Sequence, residues 1–193
     1  MRLILASSSP YRRSMLERLG IPFSTISPHA DETPMPNETP AQLALRLSIA
    51  KAQAVARHNP DAVIIGSDQV ATLNGEPIGK PGNLQNAREQ LRQLSGQRVE
   101  FHSALCVHTP QRTQVEDVIT TCIFRELTDT EIETYLLHEQ PFDTAGSAKA
   151  EGLGIALMQS MSSDDPTAII GLPLIALSRM LREAGIDPLA PAA

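Results

Sequence analysis

The apolar run Leu3-Ile4-Leu5-Ala6 is cut by Ser7-Ser8-Ser9-Pro10. Spaced apolar positions follow at Met15, Leu16 and Leu19, with a stop at Gly20. That order predicts a strand, a tight turn and a helix. Ser9 would be the cap and Pro10 the first helical residue, where a missing N–H costs nothing. The turn gathers free N–H groups, serine hydroxyls and the guanidiniums of Arg12 and Arg13, a combination that attracts phosphate. A capped surface helix with two solvated arginines accounts for the same residues equally well.

A second apolar run, Ala62-Val63-Ile64-Ile65-Gly66, is continuous and rich in β-branched residues, as in a central strand buried on both faces. It is expected to end in Ser67-Asp68-Gln69. Open α/β sheets bind ligands outside the carboxyl ends of their strands, so Asp68 is a candidate site residue. Its bland alternative is a carboxylate capping the next turn. Between the two runs, Thr39-Pro40-Ala41-Gln42 is a capping box opening a long helix with a stripe at Leu43, Leu47, Ala50 and Ala54. Lys51 lies on the flank of that stripe, where it either snorkels to solvent or looks into a pocket.

Further on, Asn74-Gly75 marks a hairpin-like excursion that carries Lys80 back toward Asp68. Asn83 opens a helix through Ala87, Leu91 and Leu94. Residues 98–108 and 113–124 form a long antiparallel hairpin. Thr128-Asp129-Thr130-Glu131 caps another helix. Residues 146–154 are a glycine-punctuated loop, 155–161 a strand, and 172–184 the last helix, stopped by Gly185 and Pro188. Residues 189–193 are expected to fray.

At 193 residues and 41% hydrophobic, the chain predicts one domain, with two lobes around a cleft as a variant. A net charge of −6 argues against a nucleic-acid partner, which needs a basic footprint. No apolar run approaches a membrane span, and no signal peptide is visible. Cys106 and Cys122 sit in apolar runs, as expected of buried thiols in a reducing cytoplasm. The five histidines lack zinc-ligand spacing.

Sixteen residues are Lys or Arg, yet the lysines are Lys51, Lys80 and Lys149 alone, each beside other candidate residues. A compact ammonium suits a single phosphate oxygen. Acidic spots at Asp31-Glu32 and Asp68 beside these cations fit a polyanion plus a divalent cation, Mg²⁺, Mn²⁺ or Co²⁺. No Gly-x-x-x-x-Gly-Lys-Ser loop and no Gly-x-Ser-x-Gly elbow is present, which excludes an ordinary P-loop and argues against acyl transfer.

Leu3-Ile4-Leu5-Ala6-Ser7-x-Ser9-Pro10-x-Arg12-Arg13, Asp31-Glu32, Ala50-Lys51-Ala52, Gly66-Ser67-Asp68, Gly79-Lys80-Pro81, Ala145-Gly146 and Ile170-Gly171-Leu172-Pro173-Leu174, in that order, resemble the Maf family of nucleotide pyrophosphatases. The resemblance implies an elongated α/β fold, a mixed sheet flanked by helices, similar to the inosine-triphosphate pyrophosphatases. It implies hydrolysis of a nucleoside triphosphate between the α- and β-phosphates, a divalent metal and a homodimer. By position, Asp68 matches the proton acceptor, and Ser7, Arg12, Glu32, Lys51 and Lys80 match other site residues. Ser9 and Arg13 join the phosphate set, and Glu32 with Asp68 the metal set.

Tyr11, Gln69, Lys149 and Glu151 bear on the base. Their pattern resembles the family branch directed at 7-methyl-GTP, although that branch usually carries tryptophan where this chain has Tyr11. A methylated guanine is cationic and stacks on an aromatic face. A carboxylate at Glu151 accepts its N1–H and N2 amine. The rival expectations are a dTTP/UTP pyrophosphatase and a septum-formation inhibitor acting through protein partners.

Overall fold

The computed structural model describes residues 2–190. Residues 191–193, most of the tail expected to fray, lie outside them. Seven strands form one mixed sheet: β1 (Leu3–Ala6), β2 (Ser24–Ile26), β3 (Val63–Leu73), β4 (Glu76–Ile78), β5 (Arg98–His108), β6 (Thr113–Phe124) and β7 (Met158–Ser162). Their order is β2-β1-β3-β5-β6-β7, with β4 on β3. The β2-β1-β3 pairs are parallel and the rest antiparallel. Five helices flank the sheet: α1 (Pro10–Glu17), α2 (Pro40–Ala56), α3 (Leu84–Leu94), α4 (Asp129–Glu139) and α5 (Leu174–Glu183). The α/β mixed-sheet class read from the sequence is the observed one.

The helix starts follow their capping chemistry. Ser9 accepts from the Arg12 N–H with Pro10 at the first position. Thr39 with Gln42, and Thr128 with Glu131, close reciprocal capping boxes. Helix α5 begins differently. Buried Asp165 accepts from the Ile175 N–H at 2.7 Å and the Ala176 N–H at 3.4 Å, which sets its start two residues after the expected Leu172.

Strand β1 is buried on both faces. Leu3 and Leu5 pack with α1 and α5, and Ile4 and Ala6 pack with Ala52 and Val55 of α2. A second core at the other end of the sheet joins α3, α4, Phe101 and Phe124. Cys106 and Cys122 are free and buried, and burial pushes their thiols up to about 12 and about 11.

Two expectations are corrected. Strand β3 does not stop near Gly66 but runs to Leu73, because β5 pairs with it from Ile64 to Leu73. Residues 155–157 are not strand: Leu153–Leu157 is a 3₁₀ turn, and β7 starts at Met158. The hairpin at Asn74-Gly75 closes as read, with φ of 53° and 84°, the two left-handed residues of a tight two-residue turn. No helix among the described residues is long and apolar enough to cross a membrane.

Candidate active site

The extra length of β3 creates the site. On the edge of β3 that faces β1, pairing ends at Ala6↔Gly66. On that same edge β4 begins at Ala71↔Ile78. Residues 67–70 between them have no strand partner on that side. Successive side chains of a strand point to opposite faces, so Asp68 turns toward α2 and Gln69 toward the opposite face. Both reach the groove that wraps around this gap.

On the α2 face, Lys51 reaches from the fourth turn of α2 to the strand. Its Nζ donates to Asp68 Oδ1 at 2.5 Å and lies 2.8 Å from Glu32 Oε1. The Lys51 and Asp68 side chains are 7% and 10% exposed and that of Glu32 60%. A buried pair with an exposed second acid is thus centred on one ammonium. Lys51 therefore looks into a pocket and does not snorkel.

Helix α2 comes this close because Gly66 has no side chain. A Cβ there would meet the Ser48 carbonyl and lie 2.9 Å from Ala52 Cβ.

The serine turn forms the next wall. Ser7 Oγ accepts from the Ser9 N–H at 3.0 Å, which leaves its own hydroxyl hydrogen for a ligand. Arg12 Nε donates to the Gly171 carbonyl at 2.9 Å. Burial pulls the Arg12 guanidinium below its ordinary value, against the upward pull of Asp68 and Glu32. Ser7, Ser9, Arg12, Glu32, Lys51, Asp68 and Lys80 all line this half of the groove. Three cations, Arg12, Lys51 and Lys80, thus share this half with three acids, Glu32 and Asp68 beside Lys51 and Asp143 on another wall.

On the other face the groove is more apolar. Tyr11, Gln69 and Glu151 line it beside Phe101 and Ile169. Gln69 is pinned: the two N–H groups of its Nε2 are shared among Ser103 Oγ and the Ala168 and Ile169 carbonyls, at 2.9–3.1 Å. Gln69 Oε1 is the end left for the groove.

Two sequence candidates stand apart. Arg13 Nε donates to Glu17 at 3.1 Å on the exposed side of α1, because one helical step past Arg12 points about 100° away. Lys149 does not line the groove either. Its Nζ donates to the Glu139 carbonyl at 3.4 Å and lies 3.8 Å from Asp143.

Sequence reasoning missed Asp143, Phe101 and the Gly171 carbonyl. Asp143 lines both halves. Its neighbours Ala145-Gly146 carried the resemblance, but a lone Asp on a loop gave no signal of its own.

The Maf-like protein family model matches residues 2–184. The chain is 69% identical over 188 residues to a 7-methyl-GTP pyrophosphatase of Bordetella avium (strain 197N), spanning 97% of this chain and 95% of that one. It is 59% identical over 189 residues to a protein of the same name from Burkholderia thailandensis, spanning 95% and 88%. A HAM1 protein from Coxiella burnetii shares the fold, with a TM-score of 0.55 at 14% identity over 95% of this chain and 99% of that one. The Ham1 protein of Staphylococcus aureus aligns with a TM-score of 0.50 at 17% identity over 80% and 90%. With the family match and these identities spanning nearly the whole chain, the protein belongs to the Maf family.

Proposed function

We propose that the protein is a nucleoside triphosphate pyrophosphatase. It hydrolyses the α–β phosphoanhydride of 7-methyl-GTP to give 7-methyl-GMP and pyrophosphate. The observation that carries this reading is the Lys51 ammonium holding Asp68 and Glu32 together in the gap of the sheet, beside the serine turn and Arg12. The names of the relatives at 58–69% identity support the substrate.

Glu32 and Asp68 offer oxygen donors that suit a hard divalent cation such as Mg²⁺, Mn²⁺ or Co²⁺. No group of three or more His, Cys, Asp or Glu able to hold a metal occurs among the described residues. These two acids, which share the Lys51 ammonium, would hold such a cation only together with ligands supplied by the substrate or by water. When bound, such a cation would supply positive charge where the triphosphate accumulates negative charge.

The chain's own residues do the rest. The Ser7 and Ser9 hydroxyls, Arg12 and Lys80 grip the phosphates. Lys51 orients the Asp68 carboxylate. Asp68 positions the attacking water and takes its proton as the new P–O bond forms and pyrophosphate leaves. On the far face, Tyr11 stacks on the cationic base, Glu151 accepts from its N1–H and N2 amine, and Gln69 Oε1 offers a further acceptor. Ordinary pyrimidines lack that pair of adjacent donors, which disfavours dTTP and UTP. The protein works without nucleic acid or membrane, in the cytoplasm and as a homodimer, and a division-inhibitor role is secondary to catalysis.

The test is pyrophosphate release from methylated and ordinary triphosphates with each cation. Wild-type protein is expected to prefer 7-methyl-GTP, and Asp68→Asn to lower kcat by roughly 10²–10⁴-fold with the fold intact. Full turnover in that variant ends the assignment.

A further inference from the structure

Tyr11 and Asp143 lie 132 residues apart in the chain and face each other across the groove. The Tyr11 hydroxyl donates to Asp143 Oδ2 at 3.2 Å. On the other side of the carboxylate, Lys149 Nζ lies 3.8 Å from Oδ1. Lys149 is anchored in turn on the Glu139 carbonyl. Tyr11, Asp143 and Lys149 thus form a chain from the first turn of α1 to the end of α4.

Lys149 is held above its ordinary value. Burial lowers it, but Tyr11, Asp143 and Glu139 outweigh that, so the ammonium that anchors the carboxylate stays charged. Asp143 also stands where the two halves of the groove meet, since it lines both. An acid away from the Lys51 cluster works against triphosphate binding in that half, so its presence there calls for another role.

We propose that Asp143 is a positioning residue for base recognition, which fixes the Tyr11 ring as one wall of the base half of the groove. This rests on the reading of that half as a 7-methylguanine site. A tyrosine ring is free to swing about χ1 and χ2 unless its hydroxyl is held. A stacking partner held in place loses less entropy on binding. A phenol that donates to a carboxylate also carries a more electron-rich face, which favours a cationic ring over a neutral one.

The proposal is tested by titrating 7-methyl-GMP and GMP into wild type, Asp143→Asn, Tyr11→Phe and the double variant, with calorimetry as the readout and kcat/KM on the two triphosphates alongside. Asp143→Asn keeps an acceptor and removes the charge. Tyr11→Phe keeps the ring and removes the bond. Each single variant is expected to lower the 7-methyl-GMP over GMP affinity ratio by about threefold to tenfold. The double variant is expected to lose no more than the worse single one, because the two residues act as a unit. Single variants that weaken both nucleotides equally, or losses that multiply in the double variant, overturn the proposal. If wild type prefers 7-methyl-GMP but the variants keep that preference, only the role of Asp143 falls. If wild type shows no such preference, the 7-methylguanine reading falls, and the role of Asp143 with it.

Discussion

The proposed chemistry and the local stability both rest on the Lys51 ammonium. It is buried between one buried and one exposed carboxylate. Removing one partner of a buried ion pair leaves the other charge uncompensated. Lys51→Met is therefore expected to abolish turnover and to lower stability by roughly 3 kcal/mol, read from urea denaturation. Asp68→Asn is milder on stability, because Lys51 keeps Glu32. Equal stability losses for the two variants would contradict this account. The role of Lys51 was not legible from its place on the helix stripe, where snorkelling and burial look alike. Arg12 and Arg13 are adjacent in sequence and equal in charge, yet helical geometry sends one to Gly171 and the other to Glu17.

Among the elements, the packing of α2 on β3 sets how near Lys51 comes to Asp68. That approach depends on Gly66, whose added Cβ would press on the Ser48 carbonyl and on Ala52. Backbone cannot move aside as a side-chain tip can. Gly66→Ala should cost about 1–3 kcal/mol through overpacking and displace Lys51, visible as a fall in Tm together with lost turnover. A silent Gly66→Ala would show that the helix has slack.

The β5–β6 hairpin carries its own pH dependence. The hydrogen bond to Asp117 raises His102 above its ordinary 6.5, against the pull of partial burial. A protonated imidazole is then worth more in the folded chain than in the unfolded one. That stability is complete below pH 6.5 and fades as pH rises through the higher native value. The Tm gap between wild type and His102→Gln should accordingly be wide near pH 6 and narrow near pH 9. A gap that widens with pH reverses the sign and refutes the pairing.

At the scale of the molecule, the groove assembles from the serine turn, the Glu32 loop, α2, the middle of β3 and the 143–151 loop, which lie far apart in the chain. If Glu32 and Asp68 share a cation with the substrate as proposed, chelation is expected to stop turnover while leaving the Tm of the nucleotide-free protein unchanged. A large Tm drop on chelation would indicate a resident metal. The strand–turn–helix at the start, the four polar caps at Ser9, Thr39, Asn83 and Thr128, the Asn74-Gly75 hairpin and the long β5–β6 ribbon were legible because each is a local pattern of period, cap or turn. The apolar run 62–66 was legible as strand, but its end was not. Polar Ser67, Asp68 and Gln69 look like a loop, and only pairing with β5 keeps them extended.

By itself the sequence determined which residues form elements and which carry charge, because propensity, capping and periodicity act over a few residues. Tertiary structure alone decided that β1 stops where β3 continues, that the resulting gap takes Asp68 to one face and Gln69 to the other, and that Asp143 closes on Tyr11. Those outcomes follow from strand pairing and packing between distant segments, whose energies no local window of residues contains.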